Sequence, residues 1–262
     1  YHRIVEPVIE DELPELIGIS IVQKKQLIPT FTFCKMIKEK YPNIHITLGG
    51  NIITRIRDVL GNNASLFSLF DTAILYEGET ALLELVNALE SRKKDFSQVP
   101  NLMYREKNGI HTNAKVCAVD ITKLPPPDFD GLPLDTYFVP ERILPYLATR
   151  GCYWGHCAFC DHSQGYGEKF RTKTVRQILE EIKFLKTKYG NRHFHFTDES
   201  YPPALFRKLS REFIKKRRTL HGQPTCGLKI PSQGTMCGRT QQRQAAGVSI
   251  SGMSPGINGS CN

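Results

Sequence analysis

LIGISIVQKKQLIPTFTFCKMIKEKYPNIHITLGG, residues 16–50, is the stretch from which the fold follows. LIGISIV (16–22) is a continuous apolar run, as a parallel strand buried on both faces requires. The segment from Ile28 to Lys40 offers Phe31, Cys34, Met36 and Ile37 to the inner face of a helix, and Tyr41-Pro42-Asn43 stops it. IHITLGG (44–50) is a second strand, ending in two glycines.

Working outward, a short helix is expected near 52–60 and a third strand at DTAILYEGE (71–79). Thr80 to Ser91 reads as a helix with Leu82, Leu83, Leu85, Val86 and Leu89 on its apolar stripe. Strands alternating with helices imply an α/β fold with a Rossmann-like, parallel, doubly wound sheet. Residues 101–117 read as a hairpin turning at Asn108-Gly109.

LPPPDFDGLPLDTYFVP, within 120–140, is rich in proline, which stiffens a chain and keeps it out of sheet interiors. It reads as a linker. Beyond it come a strand at about 143–150, a helix from Val175 to Tyr189 with Ile178, Leu179, Ile182 and Leu185 inward, a strand HFHFTDE (193–199) and a helix from Ala204 to Lys216. This second series suggests the opening of a (β/α) barrel. The expected organisation is a Rossmann-like domain over 1–119, a linker over 120–140, a partial barrel over 141–221 and a tail over 222–262.

The tail differs in kind. It holds eight glycines, no aromatic residue and no acidic residue. It is expected either to be disordered or to have left its reading frame, and to form no regular packed layer. If Ser254 uses an AGY codon, a neighbouring frame of 252–259 can encode a Glu-Ser-Gly-Asn-Gln-Arg segment. The chain starts at Tyr1, so its beginning is read as a fragment edge and the first domain as truncated.

The formal net charge is +9, but Lys and Arg are scattered, and the run Lys215–Arg218 reads as a solvated helix face rather than a nucleic-acid patch. No apolar run reaches the ~18 residues of a membrane span, and no signal peptide is legible. Of eight cysteines, Cys152, Cys157 and Cys160 are clustered, while Cys34, Cys117, Cys226, Cys237 and Cys261 are far apart. That distribution reads as a metal or redox site in a reducing compartment, the cytoplasm, rather than a disulfide framework.

The cysteine loop reads RGCYWGHCAFC (150–160). Thiolates suit iron–sulfur clusters or zinc. Three readings are open. Three thiolates can hold three irons of a [4Fe-4S] cubane and leave the fourth open. The C-x4-C-x2-C spacing also matches a plant-type [2Fe-2S] loop, whose fourth ligand would have to be Cys226. A structural zinc site could be completed by His156 or His162. Gly151 and Gly155 let the backbone bend closely. His193 and His195 share one strand face, a weak metal signal. Cys34 reads as a core residue, and Trp154 as packing over the loop.

RGCYWGHCAFCDH, FTDES followed by Tyr201-Pro202-Pro203, and the LPPPDFDGLPLDTY segment together resemble radical S-adenosylmethionine proteins that carry an N-terminal cobalamin-binding domain. The resemblance covers about 1–217. Its usual loop is C-x3-C-x-aromatic-C; this chain matches at Cys157, Phe159 and Cys160 and has one extra residue before Cys157.

The resemblance implies that Cys152, Cys157 and Cys160 bind the cluster, whose open iron holds the amino and carboxylate groups of S-adenosylmethionine. One-electron cleavage then gives a 5′-deoxyadenosyl radical that abstracts hydrogen from a small-molecule or peptide substrate. Methyl transfer to an unactivated carbon is one outcome. Phe159 would lie beside the adenine, and Asp198 and Glu199 would accept hydrogen bonds from the cofactor's ammonium or ribose, or else cap the following helix. The electron would come from a flavodoxin or ferredoxin. The competing class is a non-catalytic or truncated iron–sulfur or zinc protein.

For the first domain the resemblance implies that a Ser-x-Leu strand end and a Gly-Gly strand end admit the nucleotide tail of cobalamin. Ser20-Ile21-Val22 and Gly49-Gly50 stand in those places, with valine for the usual leucine, and Glu77-Gly78-Glu79 matches a recurrent turn. The Asp-x-His-x-x-Gly motif of an axial histidine is absent. Gly50→Leu is expected to fill the gap between the strand ends while the domain stays folded.

Overall fold

The computed structural model describes residues 1–114, 118–158, 160, 169–219 and 227–229, with side chains as far as Lys215. The chain divides into a first unit, Tyr1–Val119 with the described Cys157, Ala158 and Cys160, and a second, Asp120–His156 with the described residues from Lys169 on.

The first unit contains α1 (Val5–Glu12), β1 (Leu16–Ser20), α2 (Leu27–Lys40), β2 (His45–Gly49), α3 (Asn51–Arg55), α4 (Arg57–Gly61), β3 (Thr72–Ile74), α5 (Glu79–Glu90), β4 (Leu102–Glu106) and β5 (Gly109–Thr112). The sheet order is β1-β2-β3-β4-β5. β1, β2 and β3 are parallel, and β4 and β5 add antiparallel. The α/β architecture with a parallel-rich sheet is therefore present, with a hairpin at one edge in place of a wholly parallel sheet.

Local chemistry sets the boundaries. α2 starts where the Gln26 side chain accepts the backbone N–H groups of Val22 and Gln23, at 2.9 and 2.8 Å. The single helix expected near 52–60 is two short ones, because Ile56 leaves helical geometry at φ −97°, ψ 13°. Alternation along the strands separates two cores. Ile46, Leu48, Ala73 and Met103 join Ile21, Cys34, Ile37 and Ile53 on one face. Ile74, Leu102 and Tyr104 join Ala81 and Leu85 on the other. The stripe of α5 is rotated from the expected one. Ala81 and Leu85 are buried, whereas Leu82 and Leu83 are exposed. Only one residue of a consecutive pair can face a sheet, and here the 81/85 phase wins.

The second unit contains β6 (Ile143–Tyr146), β7 (Thr149–Arg150), β8 (Arg171–Thr172), α6 (Val175–Tyr189), β9 (His193–Phe196), α7 (Pro203–Thr219) and β10 (Gly227–Lys229). Parallel β6, β9 and β10 form one sheet in the order β10-β9-β6, and β7 pairs β8 antiparallel. Leu144, Tyr146, Phe194 and Phe196 pack on Ile178, Ile182 and Leu185 of α6 and Leu209 of α7. Thr174 caps α6 by accepting the Gln177 N–H, and Gly190 ends it at φ 66°.

The Pro-rich segment contributes to this unit. Phe129 is buried in its core and donates its N–H to the Tyr189 hydroxyl at 2.9 Å. Within the tail, Gly227–Lys229 pair in register with His193–His195, so three tail residues extend the β6–β9 sheet. Backbone pairing on an open parallel edge needs no side-chain pattern, and three residues are too few to display one. The rest of 222–262 lies outside the described residues, as does Phe159.

Candidate functional site

Parallel strands deliver their following loops to the same end of a sheet. In the second unit this brings the segment after β6, which leads to Cys152, beside the segment after β9, Asp198-Glu199-Ser200. The join is dense. The Asp198 Oδ1 accepts the Ala148 N–H at 2.9 Å, the Thr149 hydroxyl at 2.7 Å and the Thr149 N–H. Its Oδ2 accepts the Tyr201 hydroxyl at 2.7 Å. Burial raises the Asp198 pKa, and the hydrogen bonds from Tyr201, Thr149 and Ala148 oppose that rise.

Asp198 therefore ties the carboxyl end of β9 to the turn that opens the cysteine loop, with three hydrogen bonds on Oδ1 and one on Oδ2. Glu199, at the same end, is exposed.

The neck of the loop is closed by β7 and β8, with Thr149 opposite Thr172 and Arg150 opposite Arg171. Gly151 has φ 82°, a conformation that favours glycine, and a Cβ there would stand a tight 3.1 Å from the Lys169 carbonyl oxygen on the opposing arm. Beneath the neck, Lys173 donates its N–H to the Ala148 carbonyl at 2.9 Å. Its ammonium pairs with Glu181 of α6 at 2.6 Å, and both side chains are 7% exposed. Tyr146 donates to the same carboxylate at 2.8 Å, and Gln177 to its other oxygen, also at 2.8 Å. Sequence reading missed this buried network, since Lys and Glu near a helix read as surface.

Cys152 is half-buried and accepts the Ser200 hydroxyl at 3.3 Å. Burial pushes its thiol up, but donors from Ser200, Gly155 and Trp154 outweigh it, leaving the pKa below the ordinary value. Cys157 and Cys160 are exposed, and the Cys160 N–H donates to the Cys157 carbonyl at 3.1 Å. These three thiols, with Cys34, are free. Among the described residues no three His, Cys, Asp or Glu side chains are gathered closely enough to hold a metal ion. As a donor set, three free thiols within nine residues fit an iron–sulfur cluster.

In the first unit Ser20 and Gly49 are register partners at the carboxyl ends of β1 and β2. The Ile21 N–H donates to the Gly49 carbonyl at 2.8 Å, and the Ile52 N–H to the Ile21 carbonyl at 3.2 Å. Gly50 has φ 94°, and a Cβ on it would lie 2.5 Å from the Ile21 carbonyl oxygen. Its role is close backbone packing, so the expectation that Gly50→Leu leaves the unit folded does not stand. A Cβ on Gly49 meets only the Ile74 carbonyl, at 3.8 Å. Glu77 is buried and accepts the Val119 N–H at 2.9 Å. The Asn51 Oδ1 beside these turns is buried without a hydrogen-bond partner among the described residues.

No protein-family model matches the chain. An uncharacterized methyltransferase of Pyrococcus horikoshii is 26% identical over 192 residues, 72% of this chain and 40% of that protein. Cytidylyl-2-hydroxyethylphosphonate methyltransferase of Streptomyces wedmorensis is 21% identical over 219 residues, 71% of this chain and 40% of its own length. This chain thus spans about 40% of the length of each of these two relatives. The radical S-adenosylmethionine methyltransferase TsrM from Kitasatospora setae, solved with tryptophan and an S-adenosylmethionine analogue, superposes with a TM-score of 0.65 at 14% identity, over 88% of this chain and 51% of TsrM. A TsrM structure with cobalamin and a [4Fe-4S] cluster bound gives 0.62 at 16% identity, over 84% and 50%. At these identities the structural likeness is one of fold. No helix among the described residues is long and apolar enough to cross a membrane.

Proposed function

We propose that this chain is the cofactor-handling part of a radical S-adenosylmethionine methyltransferase that uses cobalamin. The observation that carries the reading is the second unit's carboxyl end. There the RGCYWGHCAFC loop opens from a pinned neck, with Cys152 beside the Asp198–Ser200 segment. The fold shared with TsrM and the methyltransferase relatives support it.

In this reading Cys152, Cys157 and Cys160 hold a [4Fe-4S] cluster, which supplies the electron for reductive cleavage of S-adenosylmethionine. Phe159 flanks the adenine, and Glu199 accepts from the cofactor's ammonium or ribose. Asp198 holds the loop's first arm in place. Ser20 and Gly49 border the entrance for cobalamin's nucleotide tail, and Gly50 keeps the adjoining turn tight against Ile21. Residues 1–119 form the cobalamin domain and 141–221 the first part of the barrel. The substrate is a small molecule or peptide, and a flavodoxin or ferredoxin supplies the electron. Free thiols destined for a cluster need a reducing compartment, so the proposed location is the cytoplasm.

Anaerobic reconstitution of the full chain with iron and sulfide tests this. Charge-transfer absorbance should appear and be lost in Cys152→Ala, Cys157→Ala and Cys160→Ala, and persist in Cys34→Ala. Stoichiometric zinc in anaerobically isolated protein would replace the reading with a structural zinc site.

A further inference from the structure

We propose that Ser200 is a positioning residue for the cluster, donating its hydroxyl hydrogen to the sulfur of Cys152 and so raising the potential at which the cluster accepts its electron. The proposal rests on the cluster reading above.

Three observations carry it. The Ser200 Oγ stands 3.3 Å from the Cys152 Sγ. The hydroxyl has no helix-capping task, because α7 begins only at Pro203, where the Phe206 N–H takes the Pro202 carbonyl at 3.1 Å. Finally, the pair is held from both sides. Asp198, two residues before Ser200, binds Ala148 and Thr149, the latter three residues before Cys152. Tyr201, just after Ser200, donates to Asp198 and packs its ring on Phe196 at 5.9 Å. The clamp fixes the two backbones, and the serine turns that proximity into a directed hydrogen bond.

The physical consequence follows from charge. A thiolate ligand carries more negative charge when the cluster is reduced, so a donor on that sulfur favours the reduced state. Hydrogen bonding to the sulfur also draws electron density from the iron–sulfur bond and weakens it. Cys157 and Cys160, by contrast, are exposed, so the cluster would be tuned unevenly, from its Cys152 corner.

The test uses the full chain, anaerobically reconstituted, as wild type, Ser200→Ala and Ser200→Thr. Dye-mediated titration followed by electron paramagnetic resonance reads the midpoint potential, and resonance Raman reads the iron–sulfur stretches. With equal iron and sulfide bound, Ser200→Ala should shift the midpoint to more negative potential and move a stretching band to higher frequency. Ser200→Thr, which keeps the hydroxyl, should restore both. Loss of the cluster in Ser200→Ala but not Ser200→Thr would also support the hydroxyl's role. An unchanged midpoint and unchanged bands in Ser200→Ala would overturn this inference and leave the cluster reading intact, as would equal cluster loss in both variants. A wild-type chain that takes up no iron and sulfide would overturn both.

Discussion

Gly50 presses its Cα so closely against Ile21 that a Cβ would lie 2.5 Å from the Ile21 carbonyl oxygen and 2.8 Å from its nitrogen. With φ 94° and ψ 169°, Gly50 also occupies a backbone region that only glycine enters readily. Gly50→Ala should therefore cost at least ~1–3 kcal/mol from the backbone alone, with the overlap added. Gly49→Ala, whose Cβ meets only the Ile74 carbonyl at 3.8 Å, should stay folded. Urea unfolding of both variants checks this, and equal midpoints would show that the β2–α3 turn is not built on that contact. Gly49→Leu is consequently the variant with which to block the proposed cobalamin entrance.

The Lys173–Glu181 pair should behave as a buried ion pair. Glu181→Leu alone strands an ammonium at 7% exposure and should cost ~3–5 kcal/mol. It also leaves the Tyr146 hydroxyl without its acceptor. Adding Lys173→Met and Tyr146→Phe should recover most of that loss, because no buried polar group then lacks a partner. Denaturant midpoints of the single and triple variants decide it; an additive loss across the three would refute the account.

His45 should make the first unit acid-sensitive. Burial lowers its pKa, with Lys38 and Lys94 adding to the effect and Asp71 opposing it. Its ring nitrogen meets the Thr72 hydroxyl at 3.0 Å. A histidine whose folded pKa lies below its unfolded value of about 6.5 contributes stability above that pH. The contribution is lost as pH falls below it, because the unfolded chain binds the proton more readily. Hydrogen exchange of the β1–β2 amides, corrected for intrinsic rates, should show protection declining below that pH in wild type. In His45→Gln the decline should be shallower. A parallel decline would exclude His45 as the source.

Thiol labelling should separate the cysteines by environment. Burial pushes the Cys34 thiol up to about 11, and the side chain is fully enclosed in the core. At pH about 8, alkylation proceeds through the thiolate. Iodoacetamide should therefore modify Cys152, Cys157 and Cys160 in the folded, metal-free chain and reach Cys34 only after unfolding. Peptide mapping reads the outcome, and early Cys34 labelling would mean that the helix α2 core opens readily.

By itself the sequence determined the α/β alternation, the parallel strands that begin near Leu16 and His45, and the break at Tyr41-Pro42. These are local properties: apolar runs and punctuation act over a few residues. What only the tertiary structure decided depends on residues far apart in the chain. The tie from Asp198 to Ala148 and Thr149, some fifty residues earlier, leaves no trace in the local sequence. Gly50 reads as a groove until Ile21 is found against it. Composition put Leu82 and Leu83 on the inward stripe with Leu85, whereas the sheet buried Ala81 and Leu85 and left Leu82 and Leu83 exposed. The edge of β9 attracted Gly227–Lys229, which has no strand signature of its own. In each case hydrogen bonds or steric contacts across tens of residues fixed the role, and such contacts have no periodicity along the chain from which to be read.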